Sequence, residues 1–173
     1  MAQQIESSMR KITVAKVVLN MGVGKSGEPI ERAKRALQQI SGQQPSPRFA
    51  KATQRDWGVH KGEPIGVAVT LRKEPAIQLI KRLFAAKGNQ MKGSSFDDFG
   101  NVSFGIREHI DIPGVKYDPQ VGILGLDIAI SLTRPGFNIR VRSKHKASVG
   151  KKHKITGDEA KDFLSREFGI QVV

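Results

Sequence analysis

The sequence predicts a single α+β domain, residues 1–173, with a mixed or antiparallel sheet, helices packed on one face and a small polar surface on the other. Three observations carry this. Segments of period-two alternation and segments of helical spacing follow one another without the strict alternation of a doubly wound sheet. Hydrophobic residues make up 38% of the chain, and 18 glycines raise the apolar share to that of ordinary globular domains, so a real core can be buried. No internal repeat or low-complexity linker marks a second domain.

Val14 to Asn20 (VAKVVLN) is a β-branched run that stops at the glycine-rich MGVGKSGEP, which reads as a buried strand entering a tight turn. Ile30, Ala33, Leu37 and Ile40 then fall at helical spacing, with Pro29 in the first turn and Gly42 just past the end. Gln43 to Gly62 has weak periodicity and reads as a short strand followed by an exposed loop. In PIGVAVTLRK, Ile65, Val67, Val69 and Leu71 alternate with Gly66, Ala68, Thr70 and Arg72, the signature of a strand with one buried face.

Ile77, Ile80, Leu83 and Phe84 form a helical stripe that ends at Gly88. Residues 89–120 read as loop with interrupted strands at Val102–Ile106 and His109–Ile112. Leu126, Ile128, Ile130 and Leu132 alternate with Asp127, Ala129, Ser131 and Thr133, a second half-exposed strand. The alternation of Phe137, Ile139 and Val141 predicts a strand leading into a basic loop across 134–155. Thr156 and Glu159 have the spacing of a capping box, and Ala160, Phe163, Leu164 and Phe168 form the stripe of a closing helix.

Charge narrows the function. The chain carries 29 Lys+Arg against 16 Asp+Glu, a formal net +13, with a pI near 10.3. Such an excess opposes compaction and calls for a polyanion, either nucleic acid or an anionic membrane surface. No apolar run approaches the roughly 18 to 20 residues that span a bilayer, and the N-terminal MAQQIESSMRK lacks a signal-peptide core. Nucleic acid is therefore favoured, no membrane partner is expected, and the protein is expected to be cytoplasmic. With no cysteine, disulfides and thiolate metal sites are excluded, and His60, His109, His145 and His153 form no HExxH pair. Neither a metal nor a cofactor is expected.

Gly22-Val-Gly-Lys-Ser26 lies between a strand and a helix, as a Walker A loop does. That loop requires a further glycine five residues before Gly24, where this chain has Leu19. The turn either relieves steric strain alone, or offers its amides, Asn20 and Lys25 to a nucleic-acid backbone. Asp97-Asp98 has no histidine near it, and Asp158-Glu159 suits a helix N-terminus, so neither pair argues for catalysis. No nucleophile-elbow pattern occurs.

From Arg134 to Ile155 no acid is present, and Arg140, Arg142, Lys144, Lys146, Lys151, Lys152 and Lys154 form a basic run suited to phosphates. Gly66, Ala68, Thr70, Ala129, Ser131 and Thr133 put small groups where an RNA-recognition-motif sheet would carry stacking aromatics, which implies reading of backbone and shape. Trp57, beside Arg55, His60 and Lys61, either stacks on a nucleotide or anchors the core.

The segments VVLNMGVGK, SGQQP, PIGVAVTLR, SFDDFGNVSFGIREHI and YDPQVGILGLDIAISLTRPGF resemble, in order, the motifs of the large ribosomal subunit protein five family, the universal 5S rRNA-binding ribosomal protein. The likeness runs from about residue 10 to the end, and RPGFNIRVRSKHKASVGKKHKI is similar to the archaeal and eukaryotic branch. The resemblance implies a non-enzymatic α+β protein that is a monomer within the ribosome and holds 5S rRNA in the central protuberance. It also implies contacts with large-subunit rRNA, a bridge to small-subunit ribosomal protein thirteen, and proximity to P-site tRNA.

Residue by residue, Asn20, Met21, Gly22 and Gly24 match the family's first-strand motif, Gln43 its post-helix glutamine, and Thr70 and Arg72 its VTLR strand. With Lys25, Arg48 and Lys51 these form the expected 5S rRNA surface. The basic run from Arg140 to Lys154 is expected on other rRNA, and the Arg55–Lys61 loop near tRNA, where Asp56, Trp57 and Val59 depart from the more basic bacterial version. The competing class is a phosphate-binding enzyme built on Gly24-Lys25-Ser26; salt-dependent RNA binding against nucleotide affinity separates the two.

Overall fold

A computed structural model describes residues 7–173. Residues 1–6, with most of the N-terminal segment weighed above for a signal peptide, lie outside the described residues. In chain order the elements are β1 (Thr13–Gly22), α1 (Glu28–Ser41), β2 (Ser46–Phe49), β3 (Pro64–Leu71), α2 (Lys73–Ala86), β4 (Gln90–Met91), β5 (Asn101–Ile106), β6 (Leu126–Thr133), α3 (Gly157–Phe168) and β7 (Gln171–Val172). Five strands form an antiparallel sheet in the order β2-β3-β1-β6-β5, and β4 and β7 make a small parallel pair. The predicted α+β class is what folds.

Alternation sorts the sheet into two faces. Val17, Leu19 and Met21 of β1, Val67, Val69 and Leu71 of β3, and the four aliphatic residues of β6 enter one core with the helices. α1 contributes Ile30, Ala33, Leu37 and Ile40 and packs on β3, while α2 packs on β1. Phe84 of α2 stacks on Phe104 of β5 at 5.5 Å and meets Phe168 of α3 edge-on at 5.8 Å. Burying one such side chain contributes roughly 1.5–3 kcal/mol, whereas the exposed Arg32–Glu28 and Lys34–Glu31 pairs of α1 contribute at most about 1 kcal/mol each. Apolar area, not surface charge, fixes the helices to this face.

The helix ends follow the sequence. Gly42 takes φ 67° and returns its N–H to the Gln38 carbonyl, and Gly169 closes α3 in the same way on Ser165. The capping box at the start of α3 is complete: Thr156 Oγ1 accepts from the Glu159 N–H while Glu159 Oε2 accepts from the Thr156 N–H.

Four expectations are corrected. His109–Asp111 is a 3₁₀ turn and not a strand. Phe137–Arg140, read as a strand by alternation, is also a 3₁₀ turn, because Gly136 at φ 94° turns the chain off the end of β6. In α2 the buried stripe is Ala76, Leu79, Ile80, Leu83 and Phe84, leaving Ile77 only half-buried. Gly66 and Ala68 do face away from the core, yet both are buried, since in register they lie between Arg48 and Gly22 and between Ser46 and Asn20.

Candidate nucleic-acid interface

Among the described residues no helix packs on the second face of the sheet, and the strand register arranges its residues in rows. One row runs Ser46, Ala68, Asn20, Asp127, Gly105; the next runs Thr70, Val18, Ala129, Ser103. Arg48, Gly66 and Gly22 form a third at one end, and Lys16, Ser131 and Asn101 a fourth at the other. Every side chain in these rows except Val18 is polar, charged or no larger than a methyl group. A surface this smooth admits a sugar-phosphate backbone close to the strands. Within the sheet β3 and β1 are themselves close at Gly66, where a Cβ would lie 2.8 Å from the Met21 carbonyl oxygen.

At the end of β1 the chain turns through Gly24, at φ 78°. The amides of Val23 and Gly24, read from sequence as free to meet a backbone, both donate to the Ile65 carbonyl at 2.9 and 2.8 Å. Ser26 donates its hydroxyl to Glu63 Oε1 at 2.5 Å. That bond and a second from the His60 N–H hold the Glu63 carboxyl below its usual range, against a small opposing effect of burial. Leu19, where a phosphate loop needs its first glycine, is buried in β1. The Val23 and Gly24 amides and the Ser26 hydroxyl are thus committed within the protein, and Lys25 is exposed.

Residues 54–59 form a miniature hairpin: Gln54 and Val59 exchange backbone hydrogen bonds at 2.8 and 3.1 Å, and Gly58 at φ 63° closes a 3₁₀ turn over Arg55–Trp57. Trp57 is 78% exposed at its tip, so it is no core anchor. Ala50, Val59 and Ile65 line an apolar recess between this hairpin and Gly22 and Gly24.

The basic run leaves the sheet at the far end. β6 ends at Thr133 opposite Thr13, whereas the glycine turn follows Gly22 at the other end of β1, about 30 Å away at the rise of a strand. Asn20, Gly22, Arg48 and Thr70 thus share one face, with Gly24, Lys25 and Lys51 at its glycine-turn end, whereas Arg72 follows Leu71, the partner of Val17, and lies toward the other end; Gln43 leads into β2. Arg140 to Lys154 form a separate patch. Met21 is corrected: it is 1% exposed, points into the core and reaches no partner with its side chain.

The cations of both regions are unpaired. Among the described residues the four ion pairs are Arg32–Glu28, Lys34–Glu31, Arg134–Glu159 and Lys161–Asp158. None uses Lys25, Arg48, Lys51, Arg72 or the basic run, so their charge is available to phosphates.

The family model of ribosomal protein L5 matches residues 7–60, and the model of the C-terminus of that same ribosomal family matches residues 64–156. The chain is 69% identical over 172 residues to a protein of Nitrosopumilus maritimus named large ribosomal subunit protein uL5, covering 99% of each. It is 67% identical over 165 residues to the protein of that name from Cenarchaeum symbiosum (95% of this chain, 98% of that one) and 48% identical over 164 residues to that from Pyrobaculum aerophilum (95% and 92%). The chain belongs to the uL5 family.

The uL5 proteins are structural, non-enzymatic constituents of the large ribosomal subunit, so the chain is no nucleotide-hydrolysing enzyme, and rRNA binding and translation are its setting. The boundary between the two uL5 segments falls inside the sheet: β1 and β2 come from the first, β3, β5 and β6 from the second. The open face of this uL5 chain is therefore made by both. Asp127, on the half-exposed side of its strand by alternation, belongs to it, as do Lys16, Ser46 and Ser103, which register between strands places there.

Proposed function

We propose that this protein is a single-domain, monomeric 5S rRNA-binding constituent of the large subunit in the cytoplasm, and that it helps attach 5S rRNA in the central protuberance. The observation that carries the reading is the uncovered sheet face, small and polar across four rows and flanked by the unpaired cations Lys25, Arg48, Lys51 and Arg72. Neutral groups on the face fix register; the cations supply affinity. The separate basic patch from Arg140 to Lys154 takes large-subunit rRNA. The hairpin bearing Arg55 and Trp57, with His60 and Lys61 just after it, faces P-site tRNA, and the bridge to small-subunit ribosomal protein thirteen completes the partners.

The test is a titration of purified protein with 5S rRNA at rising salt. If about six phosphates are neutralised, moving from 50 to 200 mM salt weakens binding on the order of a thousandfold. A flat affinity across that range would overturn the reading.

A further inference from the structure

Beside the basic run lies a cleft of about 410 Å³ whose apolar walls come from Phe99, Phe137, Val149 and Ile155 and whose rim carries Arg140, Lys146 and Lys154. We propose that this cleft receives a single unstacked nucleotide of an RNA, its base on the Phe99 ring and its phosphate among the rim cations. The inference rests on the rRNA-binding reading above and adds to it a base-binding site away from the sheet face.

Phe99 is 59% exposed, yet its backbone is held by a turn. Asp97 Oδ1 accepts from the Phe99 and Asn101 amides at 3.0 and 2.6 Å, and Asp97 Oδ2 accepts from Asn101 Nδ2 at 2.6 Å. Gly100 follows at φ 75°, where a Cβ would lie 2.5 Å from Ile155 Cγ2, so the bare Cα seats the turn directly on the end of the basic run. A large exposed apolar ring carried on a backbone fixed by a built turn is a platform whose backbone ordering cost is met before a ligand arrives.

The rim decides what the platform takes. Lys154 Nζ lies over the Phe99 ring at 5.8 Å and Arg140 Cζ over Phe137 at 5.9 Å. With no acid from Arg134 to Ile155, these cations rest on aromatic faces instead of carboxylates. An apolar wall under an unpaired cationic rim complements a flat base joined to a phosphate, and a base inside a duplex presents no face to stack. An apolar peptide would leave the rim charges unanswered. Of the acids nearby, the Asp97 carboxylate is consumed by its turn, and Asp98 is exposed to solvent.

The full-length chain would be titrated with three RNA probes of equal length: oligoadenylate carrying one 2-aminopurine, the same oligomer with abasic sugars, and a duplex. The base-bearing strand should bind more tightly than the abasic one, with quenching of the 2-aminopurine. Phe99→Ala should weaken oligoadenylate binding by roughly 5- to 150-fold and abolish the quenching while leaving the salt slope unchanged. Phe99→Leu should behave like Phe99→Ala, and Phe99→Trp should retain both affinity and quenching. If Phe99→Ala matches wild type, or the abasic and duplex probes bind as tightly as oligoadenylate, the cleft takes some other partner and the proposal falls while RNA binding stands. If no probe and no 5S rRNA binds with a salt slope, the functional reading fails and the cleft proposal with it.

Discussion

Arg134 Nη2 lies 2.9 Å from Glu159 Oε1, joining the end of β6 to the first turn of α3. Arg134 is 7% exposed, and its guanidinium also donates to the carbonyls of Arg10, His153 and Lys154. One side chain thus gathers the 3₁₀ turn Ser8–Arg10 before β1, the end of the basic run and the last helix. Its charge belongs to the architecture, unlike those of the cations that follow it in sequence.

Arg134→Met should therefore cost about 3–5 kcal/mol, since it strands three carbonyls and a carboxylate together. Glu159→Gln should cost less, roughly 1–2 kcal/mol, because glutamine keeps the capping box and the native carboxylate is 43% exposed. Urea unfolding measures both. A loss under about 1 kcal/mol for Arg134→Met would contradict this role.

Acid should loosen the same region. Burial pushes the Glu159 carboxyl up, but Arg134 and the Thr156 amide outweigh it and hold the group below its usual range. At Asp97 burial is likewise outweighed by Asn101 and the Phe99 amide. A carboxyl whose folded pKa is depressed contributes stability above its unfolded pKa and loses it as pH falls through the folded value. Urea midpoints should thus decline from about pH 5 downward. The double variant Asp97→Asn, Glu159→Gln should start lower and show a shallower acid decline; a decline as steep as wild type would assign the acid sensitivity elsewhere.

On the open face, affinity and recognition should separate. Asn20→Ala, Gln43→Ala and Thr70→Ala should each weaken 5S rRNA binding by roughly 1–3 kcal/mol and leave the salt slope in place, because none removes a charge. Filter binding at several salt concentrations would check this, and three variants with wild-type affinity would show that the recognition surface lies elsewhere.

How far these features could be read from sequence follows from their range. β3 and β6 were legible because one buried face stamps a period of two on the chain, and α1 and α3 because caps and stripe agreed. The alternation of Phe137, Ile139 and Val141 misled: Phe137 packs edge-on against His153 at 5.6 Å, and Arg140 lies over its ring, contacts of a turn with no strand alongside. Met21 matched a motif whose function lies partly in packing. Phe99 and Arg134 were invisible because their meaning depends on Ile155 and Glu159, supplied by distant segments.

Lys25→Ala should lower the salt slope for 5S rRNA by about one and leave the fold intact, because the side chain is exposed and the turn is held by the Ile65 carbonyl. Calorimetry with ATP or GTP should show no heat of binding in either form. Micromolar, magnesium-dependent nucleotide binding that vanishes in the variant would reverse the assignment of this turn.

The strand order has a kinetic side. The first strand made is the central one, and its bonds to β6 reach far along the chain, that from Thr13 Oγ1 to the Thr133 carbonyl spanning 120 residues. α1, β2 and β3 can assemble on one edge of β1 soon after they are synthesised, while the other edge waits for β6. Contacts so distant in sequence slow folding, and an apolar strand with one unpaired edge invites association with other chains in the interval. Nascent chains halted before β6 should be the aggregation-prone species, which makes protection of that edge a problem of synthesis rather than of the finished particle.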